Sequence, residues 1–406
     1  MNRLSLGKDA SYINKLNKIE ILKIIRDTEL VSRAEIVKLT KLSAPTVTRI
    51  VDDLVESGLA VVVGEGDSTG GRPPKMLKFD GSQEYVIGID LGSTSIRGAI
   101  SNLKGNIIIE VETPTDLSGG VEKICDQIAQ LVDKLKKRSN LDVSKILGMG
   151  LAVAGLIDFN SSIIEYSPVF NWKKVDLKNE LSKHLDLPLF YDNVSRVTAF
   201  GELLHGIGKK YDNFIFVNAG YGIGSGVIID GKPLYGNKGF SGELGHIIVD
   251  SESDFVGKDG LRGSLESLSS GYGIAEIAKA KVASNPKSNI LSKVNGKKED
   301  ITAKIVVDCA KEEDSLATEI FDTAMGHLGI GLDMLIKMFD PQAIVLTGGL
   351  TKNGDIFFDK IKEHIAKNRF QQLEREVHIL PSSFGEDASL IGALSIILHR
   401  IFQFDL

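Results

Sequence analysis

Two stretches of this chain repeat one plan. "YVIGIDLGSTSIRGAISNLKGNII" (Tyr85–Ile108) reads strand, glycine turn, strand, turn, strand, and "NFIFVNAGYGIGSGVIIDGKPL" (Asn213–Leu234) reads the same way. In each, the glycine turn joins two strands and opens no helix. A dinucleotide-binding fingerprint needs strand, turn, helix, so these turns argue against it. A duplicated hairpin predicts two related α/β lobes with a cleft between them. Either tight turn could offer backbone N–H groups to a phosphate, or its glycines could serve only the hairpin; spacing alone leaves both open.

At 406 residues the chain predicts two or three units rather than one core. No apolar run reaches the roughly 18 residues of a membrane helix. The polar start, MNRLSLGKDASY, does not read as a secretory signal. The two cysteines, Cys125 and Cys309, are too few for a disulfide framework. A cytoplasmic protein with no membrane partner is the expectation. The net charge of −6 is uneven: residues 1–80 hold thirteen Lys/Arg against eleven Asp/Glu, leaving the excess acid on the rest. Any nucleic-acid contact must come from local placement of charge.

The first eighty residues read as three helices and a hairpin. Leu16, Ile19, Leu22 and Ile25 mark the first helix. "SRAE" opens the second, with Ser32 as cap and Glu35 where a capping box puts its acid. Ser43 caps the third, Pro45 sits in its first turn, and Gly58 stops it. Val47, Ile50, Val51, Leu54 and Val55 form its apolar face, while Thr46, Thr48 and Arg49 lie off that face near the N-terminus. Asp52, Asp53 and Glu56 gather at the other end. A recognition helix reads base edges with its N-terminal residues and keeps its acids from phosphates, which this polarity fits. Two β-rich runs then flank a glycine-rich tip carrying Arg72 before Pro73-Pro74, as in the wing of a winged helix-turn-helix. Arginine and rigid prolines suit a narrow minor groove. Ser43, Thr46, Thr48, Arg49 and Arg72 are the candidate DNA contacts. The competing reading is a protein-interaction head with a flexible linker.

Further on, "AIVLTGGL" (Ala343–Leu350) reads as a buried strand ending in a glycine turn. "GEDASLIGALSIIL" (Gly385–Leu398) ends in a helix whose Gly392 and Ala393 permit close packing. Residues 270 to 340 read as mostly helical. "GELGH" and "GSLE" bracket a loop holding Glu243, His246 and Glu266. That trio suggests a metal site, chemistry, or a ligand grip.

Together these motifs resemble the ROK family of bacterial sugar kinases and sugar-responsive repressors. "GIDLGST", with Asp90, Gly92 and Thr94, is similar to its first phosphate loop; "GYGIGSG", with Gly220 and Gly222, is similar to its second. "GELGH" resembles its sugar motif, "GSLE" the end of its cysteine-rich motif, and "VLTGGL" its nucleoside-side loop. The head resembles that of the repressor branch, of which xylose repressors are examples. The resemblance implies an α/β, actin-like (ribonuclease H-like) pair of lobes of the ATPase type behind the winged helix-turn-helix. It divides the chain into a head at 1–80, lobe 1 at 81–193 plus 388–406, and lobe 2 at 194–387. It also implies a homodimer or tetramer, a palindromic double-stranded DNA operator and a sugar or sugar-derivative effector, with Asn193, Glu243, His246 and Glu266 at positions that hold sugar hydroxyls.

The kinase features are altered. The family's catalytic aspartate position falls on Val194, which accepts no proton, and Asp192 would need a shifted backbone to replace it. Tyr221 stands where threonine is usual, where a phenol would crowd a phosphate, and Ser95 replaces a frequent lysine. Gly257, Asp259 and Ser264 occupy the family's zinc cysteine positions, so neither a metal nor another cofactor is expected. Ala154 and Val169 replace a frequent proline and a sugar-contacting asparagine. A non-catalytic, sugar-responsive repressor is the expectation. An active sugar kinase with an accessory head and a sugar-blind regulator are the alternatives.

Overall fold

The computed structural model describes residues 10–65, 73–258, 260–368 and 376–403. Arg72 and Asp259, both singled out above, lie outside them. The head holds α1 (Ala10–Asp27), β1 (Val31–Ser32), α2 (Arg33–Thr40), α3 (Ala44–Glu56), β2 (Ala60–Glu65) and β3 (Lys75–Phe79). The capping box forms: the Ser32 hydroxyl accepts from the Glu35 N–H, and the Glu35 carboxylate accepts from the Ser32 N–H at 2.7 Å. Ser43 caps α3, and Gly58 follows with φ of 76°, a conformation that favours glycine. Strands β2 and β3 pair antiparallel as the wing, with β1 on the outer edge.

The body carries two sheets of five strands. The first uses β4 (Tyr85–Leu91), β5 (Ser95–Asn102), β6 (Ile107–Pro114), β7 (Ile146–Val153) and, after the small β8 (Leu156–Asp158), β9 (Ile163–Ser167) and β10 (Trp172–Val175), β11 (Leu189–Asn193). Helices α4 (Gly120–Ser139) and α5 (Leu177–Ser182) belong to this half. After α6 (Val194–His205) come β12 (Phe214–Ala219), β13 (Ile223–Ile229) and β14 (Lys232–Pro233). A helical block follows: α7 (Leu265–Ser269), α8 (Gly271–Lys281), α9 (Ile290–Lys293), α10 (Ala303–Lys311) and α11 (Ser315–Phe339). The second sheet is completed by β15 (Ala343–Thr347), α12 (Asp355–Asn368) and β16 (His378–Pro381), and α13 (Ala388–Gln403) ends the described chain. The strand orders are β11-β7-β4-β5-β6 and β14-β13-β12-β15-β16. Counted along each half, both orders place the third, second, first, fourth and fifth strands side by side. The echo in the sequence is therefore a duplicated sheet.

Two helices join the halves. Helix α13 lies on β4 and β7, α6 lies on β13, and the two helices pack on each other. Glycine makes this approach possible: a Cβ on Gly150 would stand 2.0 Å from the Ala393 carbonyl oxygen, and one on Gly201 would stand 3.0 Å from the Gly392 Cα. The far end of α13 enters the head. Leu398 and Phe402 share a core with Ile21, Ile50 and Leu54, Phe402 meets Phe79 edge-on at 5.8 Å, and the Arg26 guanidinium lies 4.6 Å above the Phe402 ring. Glu202, fully buried on α6, accepts from Ser382 Oγ, the Ser383 N–H and the Ile207 N–H, which ties α6 to the strand-end loop after β16. Among the described residues, no helix is long and apolar enough to cross a membrane.

Candidate ligand-binding site

Strand β13 organises the site. Its first residue, Ile223, donates its N–H to Glu266 Oε2 at 2.8 Å, and a Cβ on Gly222 would fall 2.5 Å from that oxygen. Glycine at 222 therefore lets the carboxylate seat against the second glycine turn. The short turn carrying Glu243 and His246 packs on β13, and His246 Nε2 stands 3.6 Å from Glu243 Oε2. Glu243, His246 and Glu266 thus converge, each partly open to solvent. Burial raises the Glu243 carboxyl above its ordinary value; the charges of His246 and Arg196 oppose that rise, and Glu266 adds to it.

Asn193 caps α6, whose second residue packs on the same strand: a Cβ on Gly224 would meet Ser195 Oγ at 2.3 Å. Its amide is already engaged. Oδ1 accepts from the Ser195 and Arg196 N–H groups as the cap of α6, and Nδ2 donates to the Gly155 carbonyl at 2.9 Å. One amide hydrogen is left for a ligand, so Asn193 can donate to a hydroxyl but has no free lone pair with which to accept. Glu266 likewise keeps one oxygen free of the Ile223 contact. Glu243, His246 and Glu266 together present carboxylate acceptors and an imidazole to one place. Val169, in the turn between β9 and β10, is 40% exposed.

A pH prediction follows from Glu243. Its raised pKa means the proton is taken up above the ordinary value of 4.5 as pH falls, and a neutral acid is a weaker acceptor. Hydroxyl-ligand affinity is expected to weaken as pH is lowered toward that range, and calorimetry across pH measures it. Glu243→Gln should flatten the dependence in this window. The sign for stability is opposite. A raised carboxyl pKa contributes stability that is fully present below the unfolded value and lost as pH rises through the folded one.

Of the positions that the resemblance aligns with zinc cysteines, Gly257 and Ser264 are described, and the Gly257 N–H donates to the Leu261 carbonyl beside the antiparallel Val256–Arg262 bridge. Ser264 caps α7, and Ile248 bridges to Ser264. At the tip, Lys258 donates to Tyr221 Oη at 2.7 Å and sits 4.5 Å and 4.6 Å from the Tyr221 and Tyr272 ring centres. Tyr221 therefore turns outward, at 63% exposure. Among the described residues, no three His, Cys, Asp or Glu side chains are placed to share a metal ion.

Beside the grip, a cleft of about 660 Å3 runs between the sheets, lined by Asp90, Ser95, Val194, Asn218 and Gly348 among others. Its first glycine turn is tight: the Gly92 N–H donates to the Ser95 carbonyl, and a Cβ on Gly92 would stand 2.8 Å from that oxygen. Thr94 is exposed at the tip of this turn. In the second turn, the Gly220 N–H donates to the Gly222 carbonyl. Asp90 accepts from Ser389 Oγ of α13, and burial raises its pKa. Five carboxylates line the cleft (Asp90, Glu110, Glu112, Glu386 and Asp387) against two cations, Arg97 and Lys352. Both cations are paired: Arg97 bridges Glu110 at 2.6 Å and Asp387 at 2.5 Å, and Lys352 pairs with Glu386. The Asp192 carboxylate is engaged away from this cleft. Its two oxygens accept from Arg196 Nη2 at 2.5 Å and Nε at 2.8 Å, and it borders a different cavity, behind α6. The sequence did not mark Arg196, although its spacing of four from Asp192 on a helix was visible.

On the head, Ser43, Thr48 and Arg49 are exposed and Thr46 is partly so. Ser43 Oγ is committed to the cap, accepting from the Thr46 N–H and sharing a hydrogen bond with Thr46 Oγ1 at 2.8 Å. Arg49 hydrogen-bonds Asn14 Oδ1 on α1 and lies 3.7 Å from Asp53. Asp52, at the acidic end, is paired with Arg33 of α2 at 2.5 Å.

A winged helix-turn-helix joined to a two-lobed, actin-like kinase-type domain is the class these features define. Residues 15–60 match the profile of winged helix-turn-helix DNA-binding domains, and residues 86–400 match that of the ROK family. The chain belongs to the ROK family. It is 30% identical over 398 residues to a xylose repressor from Bacillus spizizenii, covering 97% of this chain and 98% of that one. A glucokinase from Halalkalibacterium halodurans is 30% identical over 311 residues, covering 77% of this chain and 94% of the enzyme. Among solved structures, a ROK family transcriptional regulator, a homologue of the E. coli MLC protein, superposes with a TM-score of 0.80 at 23% identity, over 96% of this chain and 97% of that one. A ROK family glucokinase from Streptomyces griseus, solved with glucose and AMPPNP, gives 0.68 at 26% identity, over 77% of this chain and 98% of the enzyme.

Proposed function

We propose that this protein is a sugar-responsive transcriptional repressor whose lobes bind a sugar without phosphorylating it. The observation that carries the reading is the contrast between two neighbouring places. Glu243, His246 and Glu266 converge, while the adjoining cleft has Val194 at the position the family resemblance gives to a base, and paired cations among excess carboxylates. Such a cleft repels a polyphosphate. The repressor relative matches the head as well as the lobes, whereas the glucokinase covers 77% of the chain. Sugar binding acts on the head through α13, which touches Asp90 at one end and the head core at the other. Ligand shifts the head only insofar as it binds one lobe arrangement better than another. A homodimer presents two heads to a palindromic operator.

Gel shifts of DNA upstream of its own coding region, with xylose first in a panel of pentoses and hexoses, test this reading. A sequence-specific shift that one sugar alters is expected. No specific shift at moderate salt sinks it. An ADP-release assay with the same sugars is expected to show no turnover, in the native chain and in Val194→Asp alike, because the carboxylate-rich cleft persists. Robust turnover that is lost in Asp192→Asn would instead support the kinase reading.

A further inference from the structure

Behind α6 lies a second cavity, of about 760 Å3, within the range of small-molecule sites. Val194, Ser195 and Thr198 line the front cleft, whereas Arg196, Val197 and Phe200 line this one. At 100° per residue these sets occupy opposite faces of the helix. Helix α13 spans both cavities: Ala388 and Ser389 border the front, and Ile396, His399 and Arg400 border the back.

We propose that the back cavity binds a small organic anion, a carboxylate or phosphate monoester carried on an aromatic or alicyclic ring. Apolar and aromatic side chains make the body of the site, with Phe159, Phe190, Tyr191 and Tyr235 among its walls. Lys178 and Lys232 stand at it as exposed cations, and no described carboxylate pairs with either. The two acids lining it are already compensated. Asp192 is held by Arg196, and Asp158 accepts from the Asn160 and Ser161 N–H groups and faces Lys238 at 3.9 Å. The remaining charge is positive, so an anionic group on a flat ring matches the lining.

The walls come from both halves. Phe159 meets Tyr235 at a tilt of 40° with ring centres 4.3 Å apart, and the Phe159 N–H donates to the Lys238 carbonyl at 2.8 Å. The width of the cavity therefore depends on the angle between the lobes. An occupant that fits this width favours this arrangement, and linkage makes it change sugar affinity at the front by the same factor in each direction. That second part rests on the repressor reading, whereas binding itself does not.

Calorimetry on the full chain with 1-naphthoate and its neutral analogue 1-naphthamide tests the site. Naphthoate is expected to bind one per chain, at least tenfold tighter than the amide. Lys178→Ala/Lys232→Ala, at exposed positions, should reduce the acid to the affinity of the amide. Absence of acid binding at millimolar concentration overturns the proposal, as does equal binding of acid and amide, or indifference to the double substitution. A sugar titration repeated with saturating naphthoate is expected to give a shifted sugar affinity. An unshifted value overturns the coupling, and because naphthoate binding is read without DNA or sugar, failure of the repressor reading remains distinguishable.

Discussion

Glu243→Ala is expected to weaken sugar binding about 100-fold and Glu243→Gln about tenfold, since hydrogen bonds to a charged group contribute about 1.5–3 kcal/mol each. The carboxylate is the best-placed acceptor of the grip, with His246 at 3.6 Å on one side and Glu266 beyond the second glycine turn. Glutamine keeps the shape and one acceptor oxygen but gives up the charge. Alanine removes both and leaves a bound hydroxyl without its partner. Operator affinity in the absence of sugar should not change, because Glu243 is far in sequence from the head and outside the helices that join it to the body. Calorimetry gives the affinity, and gel shifts with and without sugar give the response. An unchanged sugar affinity in Glu243→Ala would reduce the four residues to an inherited hydrogen-bond network that only stiffens the lobe.

Much of this architecture is readable from local pattern. The two hairpins announce themselves because strand alternation and glycine turns are short-range signals, and both became the first three strands of a sheet. The caps at Ser32 and Ser43 are legible for the same reason: each is a contact across three residues. What stays hidden depends on distance along the chain. Arg97 finds its partners at 386 and 387, and Ser389 reaches back to Asp90, so the state of the cleft cannot be read from either segment alone. The glycine and alanine pair in α13 signals close packing but not its target. That target is α6 and β7, and beyond them the helix ends against the head. Within the site, the family resemblance placed Asn193 among the ligand groups, yet its oxygen caps α6, a use that only the backbone geometry of the β11–α6 junction reveals. Tyr221 is a similar case: its side-chain direction is set by Lys258, thirty-seven residues later.

Arg49→Ala is expected to lower affinity for the specific operator about tenfold to 100-fold, the loss that accompanies about 1–3 kcal/mol for a bidentate arginine contact to guanine. Binding to unrelated DNA should fall much less. The helix geometry supports the distinction. Val47, Ile50, Val51 and Leu54 anchor α3 in the head core, which turns Thr48 and Arg49 outward on the opposite side. In the free protein the guanidinium is held by Asn14 and lies near Asp53, so it is oriented before DNA arrives and must release part of that network to reach a base. Asp53→Asn, which removes the nearby anion, should therefore raise affinity for both kinds of DNA, since it weakens one competitor for the arginine and one source of repulsion for phosphates. Ser43→Ala separates contact from architecture. It removes a helix cap and should destabilise the head by about 1 kcal/mol, a loss read by thermal unfolding rather than by a change in sequence preference. Equal losses on specific and unrelated DNA in Arg49→Ala would make this residue a phosphate contact. No loss on either would move the DNA-reading face away from the N-terminal half of α3.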